Sequence, residues 1–486
     1  MNNTTVLIIG AGPVGLTLAC EMARRKVPFR MIERSAMPPQ GSRAKGVQPR
    51  SLEILNDLGI AEELVAAGQT DLPYRKFSGS KLIGETPRSI FTRHDTRYPK
   101  VLLLPQYEVE KALREKLSEL GGTIEWATEL TSFTQRNNSI ICHLEHPNWI
   151  EELTCNYMIA CDGGKSTTRK NLEINFVGET HQQEQLWVGD VEVEGLKSDA
   201  WYNWLSPEFG LAFALFPFKN SNSWQLQAVM PPDANGNIPA PTLEGFNKLF
   251  AARTGMKKIR FTSSTWQSVY RVNVRMAERY RVGNAFIAGD ACHVHSIAGG
   301  LGMNTGIQDA YNLGWKLAAV IHGEANDTLL DTYEEERMPI ADQLLKTTSE
   351  RQRVMMDAAT AGKGAFETLA TNDGTQLNLN YRDSSLTVKS EAIQIKVQPG
   401  DRAPDVRLSD GSWLSDLLTG IEWKLLLFGK ASLISNKNLK IIKADDEALF
   451  QTYGFSEGMV LIRPDGYIAL INANPVDIQR YFDMLR

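Results

Sequence analysis

No stretch of this 486-residue chain approaches the roughly 18 consecutive apolar residues that a membrane-crossing helix requires. Low-complexity tracts and internal repeats are also missing. Cysteine is scarce: Cys20, Cys142, Cys155, Cys161 and Cys292 are odd in number and show no C-x-x-C spacing, so they read as buried thiols rather than a disulfide framework or a zinc site. Excess charge of either sign is absent. The 52 basic and 57 acidic residues leave a formal charge of -5, which gives phosphate polymers and anionic lipid no general attraction. No nucleic-acid partner and no membrane are therefore expected. Met1-Asn2-Asn3 runs directly into a strand-like segment, so the expected chain has no secretory leader and resides in a reducing cytoplasm.

What is present is ordinary globular composition, 42% hydrophobic against 22% charged, which rules out disorder as the dominant state. At about 100 to 200 residues per domain, the length predicts two to four domains. Thr4 to Gly10 reads as a buried strand, Pro13 to Arg25 as a helix, and Phe29 to Glu33 as a second buried strand. Helical patterns follow at Gln48 to Leu58 and Gln106 to Leu120. Between about Glu184 and Tyr270 the pattern becomes aromatic and alternating, as in an inserted antiparallel sheet. A buried-strand pattern returns at Ala285 to Ala288, followed by helices near Met303 to His322 and Leu329 to Arg353. Residues 1–183 and 271–360 thus form one discontinuous nucleotide-binding domain around a substrate sheet at 184–270. Residues 361–396 read as a linker or lid, and 397–486 as a third, small α/β domain.

The first strand leads into Gly10-x-Gly12-x-x-Gly15, which opens a helix and includes Pro13 and Val14; Glu33 follows Gly15 by 33 − 15 = 18 residues. Strand, turn, helix and distant acid are the context that this dinucleotide motif requires. Its glycines permit a tight turn and close approach of a pyrophosphate to the helix N-terminus, and Glu33 can accept from ribose hydroxyls. The motif alone does not separate NAD(P) from FAD. Later segments do: Cys161-Asp162-Gly163-Gly164 leads to Ser166 and Arg169, and Ala288-Gly289-Asp290-Ala291 leads to His293 and a second glycine cluster.

These segments, with Glu33-Arg34, Ser42-Arg43-Ala44, Val47 to Leu55, Gln106 and Gly289 through Leu317, resemble the class A flavoprotein aromatic hydroxylases, the para-hydroxybenzoate and phenol hydroxylase family. The resemblance spans nearly the whole chain with its motifs in family order. It implies an α/β fold: a Rossmann-like FAD-binding domain, an inserted antiparallel substrate sheet and a thioredoxin-like C-terminal domain. It also implies FAD as cofactor, NADPH or NADH as transient reductant, and oxygen plus a small aromatic substrate as reactants. The chemistry that the resemblance implies is reduction of the flavin by hydride, addition of oxygen to it, and hydroxylation of a phenolic or polyketide-like ring by the flavin hydroperoxide. A flavin dehydrogenase or oxidase on the same scaffold, or a non-catalytic scaffold holding an unstable intermediate, is the alternative. Oxygen-18 incorporation and substrate-dependent nicotinamide oxidation separate these readings.

By resemblance, Glu33 and Arg34 lie at the adenosine ribose, Arg43 at the pyrophosphate side, Gln106 at the neighbouring ribose or ribityl region, and Leu130 brings backbone to the adenine. Asp162 and Gly163 are placed between pyrophosphate and nicotinamide, and Gly289-Asp290 at the ribityl hydroxyls. The segment Ala298 to Asn304, which holds Gly299, Gly300, Gly302, Met303 and Asn304, is implied to carry backbone N–H groups and a helix N-terminus to the pyrimidine end of the flavin, where reduction places negative charge; Ile297, Gly299 and Gly300 adjoin the flavin chemistry, and no protein residue is assigned as catalytic. No metal is expected. His293 and His295 lack a neighbouring carboxylate cluster in sequence and read as structural or substrate-facing. About half of Trp201, Tyr202, Trp204, Phe213, Phe216, Phe218 and Trp224 are expected in the pocket wall and the rest in the core. The tail after Cys292 contains no cysteine, so it cannot perform disulfide chemistry; its expected use is structural, for example at a homodimer contact. Gly210 to Trp224 contains no arginine and only Lys219 as a cation, which predicts a neutral or phenolic substrate rather than a benzoate.

Two departures from the family pattern stand in the loop: Ile297 where proline is common and Leu301 where glutamine is frequent. Proline fixes φ and removes an N–H, so Ile297 leaves that backbone freer. The alternative is that packing holds the loop and Ile297 covers a larger apolar substrate. On the first account, Ile297→Pro retains FAD and releases less hydrogen peroxide per nicotinamide oxidised. An unchanged or higher peroxide yield would favour the packing account.

Overall fold

The computed structural model describes residues 2–86, 93–206, 210–230, 233, 237–295, 300–361, 374–388, 397–430 and 438–486. Its first sheet grows from β1 (Asn2–Ile9), whose Val6, Leu7 and Ile8 are fully buried. Helix α1 (Pro13–Arg24) follows with Pro13 in its first turn, where a missing N–H costs nothing. β2 (Phe29–Glu33) then pairs parallel to β1. α2 (Pro49–Asp57) and α3 (Gln106–Glu119) pack on the same unit. The chain returns through β5 (Glu129–Arg136), β6 (Ser139–His146) and β7 (Trp149–Ala160), and later through β13 (Ala285–Ile287). The parallel order is β13-β7-β1-β2, with the β5–β6 hairpin attached through β6. β1 and β7 both end facing the turn after β1, the usual ligand edge of such sheets.

The second sheet joins β3 (Tyr74–Ser78), β4 (Lys81–Thr86), β8 (Phe176–Glu194), β9 (Trp201–Ser206), β10 (Gly210–Pro217), β11 (Ser223–Val229) and β12 (Arg260–Ala277), in the order β12-β8-β11-β10-β9-β3-β4 with His293–Val294 beyond β12. It therefore recruits a hairpin from ahead of the 184–270 segment, and β8 and β12 run across both ends of that segment. Alternation divides its residues. Tyr202, Trp204, Phe213 and Trp224 pack on one face against Phe246 and Phe250 of α4 (Leu243–Thr254). Trp201, Phe216 and Phe218 cluster elsewhere, with Leu103 of the first unit.

Two long helices, α5 (Gly302–Ile321) and α6 (Asp331–Ala361), follow β13. α5 crosses α1 closely: a Cβ on Gly306 would come 2.6 Å from Val14 Cγ2, and one on Gly314 2.7 Å from Glu21 Cβ. Within the expected linker or lid, residues 374–388 are described and pinned: Gln376 exchanges hydrogen bonds with Thr305 and Gln308, and Tyr381 is buried. Residues 362–373 and 389–396 lie outside the described residues. The C-terminal sheet has the order β15 (Leu439–Lys443), β14 (Trp423–Phe428), β16 (Gly458–Ile462), β17 (Ile468–Ala473), with α7 (Glu447–Tyr453) and α8 (Pro475–Met484). The five cysteines are free thiols. Cys142 and Cys155 stand 3.9 Å apart between β6 and β7, a cross-strand neighbourhood that their spacing did not reveal.

The C-terminal unit docks on α5 and α6 through buried charge. Arg463 grips both Glu336 oxygens at 2.5 and 2.9 Å and Asp465 at 3.0 and 2.5 Å. Lys316 and Ser384 complete Glu336 at 2.7 Å each, and Trp315 Nε1 donates to Asp465 at 3.0 Å. Burial alone would raise the Glu336 pKa, but Arg463 and Lys316 overcome this and hold the carboxyl well below the usual range. Its contribution to stability is thus present above about pH 4.5 and is lost as pH falls. Removing one partner of such a network costs about 3–5 kcal/mol. Arg463→Met should lower the urea midpoint accordingly, while Lys443→Met, on an exposed position, should change stability by less than about 0.5 kcal/mol.

Candidate functional site

Three glycines after β1 perform different tasks. Gly10 has φ 99°, and a Cβ there would meet the Cys161 carbonyl oxygen at 2.5 Å. A Cβ on Gly15 would sit 2.0 Å from the Gly10 carbonyl oxygen, so Gly15 exists for the contact between helix and turn. Gly12 faces open space, with nothing within 4 Å of its Cβ position. It caps α1 without any side-chain bond, so the helix presents unclaimed N–H groups and its positive end to that space. Glu33 lies beside the turn and accepts from Ala11 N at 2.8 Å and Ser35 N at 2.9 Å. Arg34 is exposed. Leu130 is buried in the main core, which leaves only its backbone available to a ligand.

A second edge of the same cleft comes from two aspartate turns. Asp162 accepts from Thr168 N at 3.2 Å through one oxygen, while its other, buried oxygen has no partner among the described residues. Gly163, at φ 80°, opens on empty space. Arg169 links this turn to the next, donating to the Gly164 carbonyl at 3.1 Å and the Ala291 carbonyl at 2.9 Å. Asp290 is solvent-exposed, yet surrounding protein desolvates it and raises its pKa, with His293 and Arg43 opposing the shift. An accessible carboxylate that still feels burial lies in a deep cleft rather than on a convex surface. Gly289, at φ 64°, packs against Val14 and so sets this turn directly on α1.

The N-terminus of α5 supplies the third edge. Gly300 has φ 61° and open space around its Cβ position, and Leu301 caps the helix without a side-chain bond. A Cβ on Gly302 would lie 3.9 Å from Asp290 Oδ1, which places the helix start beside that carboxylate. Met303 is buried. The Asn304 side chain is already engaged: Oδ1 accepts from Gln48 N at 2.8 Å, and Nδ2 donates to the Gly46 and Gly300 carbonyls at 2.9 and 2.8 Å. Only its backbone can face a ligand. Ile297 and Gly299 lie outside the described residues. His293 is also engaged, 2.7 Å from buried Asp309, a residue that sequence reasoning missed. Among the described residues, no three His, Cys, Asp or Glu groups stand together as a metal site would need.

Arg43 projects from between α3 and the second sheet. No described residue hydrogen-bonds its guanidinium, which is exposed; burial raises the pKa of both Asp290 and Glu110, and the nearby Arg43 charge partly opposes that rise. Gln106 donates to Glu110 at 2.8 Å and holds the loop by its backbone N–H to the Ala44 carbonyl at 3.0 Å. Among the described residues, a cation without a hydrogen-bond partner, two helix starts without side-chain caps, Gly12 and Gly163 open to the cleft, an accessible Asp290 and Glu33 beside the turn make a set that fits FAD. The face of the second sheet opposite its α4 core carries Trp201, Asn203, Phe216, Gln225, Gln227 and Asp190, by the register of β8 to β11. Lys219 turns away to the Ala66 carbonyl, whereas Lys45 lies 4.2 Å over the Phe216 ring, a cation near this face that the sheet's own sequence could not disclose.

Residues 3–348 match the model of a family described as FAD binding domain. The chain is 38% identical to a flavin-dependent monooxygenase of Mycobacteroides abscessus over 98% of its own length and 99% of the relative's. It is 35% identical to the 6-methylpretetramide 4-monooxygenase of Streptomyces rimosus, over 96% of this chain and 90% of that one. The solved structure of OxyS anhydrotetracycline hydroxylase from Streptomyces rimosus superposes with a TM-score of 0.78 at 30% identity, covering 98% and 96% of the two chains. No helix among the described residues is long and apolar enough to cross a membrane.

The three glycines generate a contrast. Gly12→Val should yield a folded protein that purifies without flavin absorbance, because its side chain enters open cleft. Gly15→Val should not fold, because its Cβ has no space. A yellow Gly12→Val protein would refute the pyrophosphate placement.

Proposed function

The chain belongs to the FAD-binding-domain family of flavin-dependent monooxygenases, and from that premise we propose that it hydroxylates a neutral phenolic or polyketide-like ring. It is an FAD-dependent aromatic monooxygenase, consuming oxygen with NADPH or NADH as reductant. Bound FAD supplies the redox chemistry, accepting hydride and activating oxygen. The chain's own groups bind and orient. On our reading Gly10, Gly12, Pro13, Val14, Gly15, Glu33, Arg34 and the Leu130 backbone hold the adenosine half, and Arg43 neutralises pyrophosphate. Gln106, Asp162, Gly163, Gly289 and Asp290 then hold the central stretch. Gly300, Gly302, Met303 and Asn304 offer backbone donors to the pyrimidine edge, where N–H groups and the α5 dipole favour the negative charge of the reduced ring.

The observation that carries the substrate assignment is the lining of the sheet face over the cleft. Asn203 and Gln227 are register partners of the same small residue, Ala214, so two carboxamides lie side by side on the face that carries the Trp201 and Phe216 rings. Carboxamides donate and accept and match phenol, enol and ketone oxygens, while a carboxylate buried there without a dedicated arginine costs several kcal/mol. The polycyclic substrates named for the Streptomyces rimosus relatives agree with this chemistry. We further read residues 1–183 and 271–360 as the FAD domain, with 184–270 as the substrate sheet together with β3 and β4. Within the 361–396 linker or lid, residues 374–388 act as a strap. Residues 397–486 read as a thioredoxin-like domain without cysteine, supported by a four-stranded mixed sheet with one parallel pair. Its place on α5 and α6 favours a structural use within one chain over a homodimer contact.

In air enriched with oxygen-18, a good phenolic substrate should gain one labelled oxygen atom per turnover. Para-hydroxybenzoate should bind weakly and turn over slowly; efficient turnover would overturn the neutral-substrate assignment. Gln227→Leu should raise KM for the phenol about tenfold, because a pocket carboxamide then goes unmatched, with FAD content unchanged.

A further inference from the structure

Arg43 sits at φ 37°, in the left-handed region that an arginine ordinarily avoids. Its loop is held there from several sides. Ser42 N donates to Asp190 Oδ2 at 2.6 Å. Gln225 Nε2 donates to Ser42 Oγ at 2.6 Å and to the Arg43 carbonyl at 3.2 Å. Asp190 on β8 and Gln225 on β11 are direct register partners, and both are buried. Trp266, opposite Asp190 on its other side, backs the loop so closely that a Cβ on Gly41 would reach within 2.6 Å of the indole. Backbone strain persists only when surrounding structure over-determines it. Here the determining bonds come from the sheet that covers the substrate, while the side chain they orient points into the cofactor cleft.

We propose that Asp190 and Gln225 are positioning residues that set the reach of Arg43 into the cofactor cleft. Neither touches the cleft's open space near Gly12; both act through the backbone of Ser42 and Arg43. The substrate sheet and the cofactor's counter-charge are thereby one mechanical unit, so a shift of β8 against β11 displaces the cation. This inference rests on the FAD reading above.

A double-mutant cycle on the full-length protein tests it, with the FAD dissociation constant read from flavin fluorescence for wild type, Gln225→Leu, Arg43→Leu and the double variant. Each single change should weaken FAD binding about tenfold, the scale of a lost charge-assisted contact. The double variant should bind no more weakly than Arg43→Leu alone, because Gln225 acts only through Arg43. Asp190→Asn, which keeps an acceptor for Ser42 N, should stay within about threefold of wild type, whereas Asp190→Ala should not. Multiplying effects in the double variant would overturn the proposal by assigning Gln225 a purely structural role. Unchanged affinity in Arg43→Leu would also overturn it while leaving flavin binding intact. A wild-type protein that fails to bind FAD would instead remove the cofactor reading, and the clamp with it.

Discussion

Asp309 is the carboxylate on which the geometry of the cleft depends. It is fully buried on α5, where it accepts from Gly289 N at 3.1 Å, His293 Nε2 at 2.7 Å and Arg337 Nε at 2.7 Å. Burial would raise its pKa, but Arg337 and His293 hold it below the usual range, so it stays charged. Arg337 continues the chain of contacts to the Tyr381 hydroxyl at 2.9 Å and the Thr305 carbonyl at 3.2 Å. One charge thereby references the Gly289–Asp290 turn, α5, α6 and the 374–388 strap to each other. Without it, three buried donors would lose their acceptor, a cost that no single cleft contact could offset.

The described part of the cleft built on this frame is lined by fixed dipoles and charges. Its polar groups are backbone N–H donors at helix starts, one unclaimed arginine, and carboxylates suited to hydroxyls. Such an arrangement suits a bound redox group whose charge changes during turnover, because fixed dipoles respond without reorganising. On the face of the second sheet opposite α4, Asn203, Gln225 and Gln227 place carboxamides beside the Trp201 and Phe216 rings, with Asp190 the carboxylate among them. Rate in this design depends on distance and exclusion of water more than on proton transfer by a side chain.

The parts legible in the sequence were those whose rules are local. The β1 turn, its three glycines and Glu33 form one contiguous unit, and the later Asp-Gly and Gly-Asp turns are recognisable where strands end. Contacts between distant segments were not legible. Tyr74 to Ser78 carries Arg75 and Lys76 and lacks a regular apolar alternation; β3 gains its place by pairing with β9, with Phe77 buried in the sheet core. Which face each aromatic of the set takes was not legible, since the phase of each strand depends on register; all seven are buried. Asp309, Asp190 and the side chain of Asn304 gave no signal, because a buried polar residue is identified by its partners, and those lie tens to hundreds of residues away.

The docking of the C-terminal unit acquires a meaning from the direction of α5. This helix is 20 residues long, about 30 Å, and it is held at both ends by different parts of the chain. At its start Asn304 ties it to Gln48 and Gly46, and Asp309 ties it to the Gly289 turn. Further along, Asn312, Trp315 and Lys316 enter the charge cluster made by Glu336, Arg463 and Asp465. A rigid rod fixed at two separated points cannot rotate about either. The uncapped N-terminus that faces the cleft is therefore aimed by contacts at its far half as well as its near one. A tail without thiols can thus serve the redox site by preventing the helix dipole from wandering, with no group of its own in the cleft.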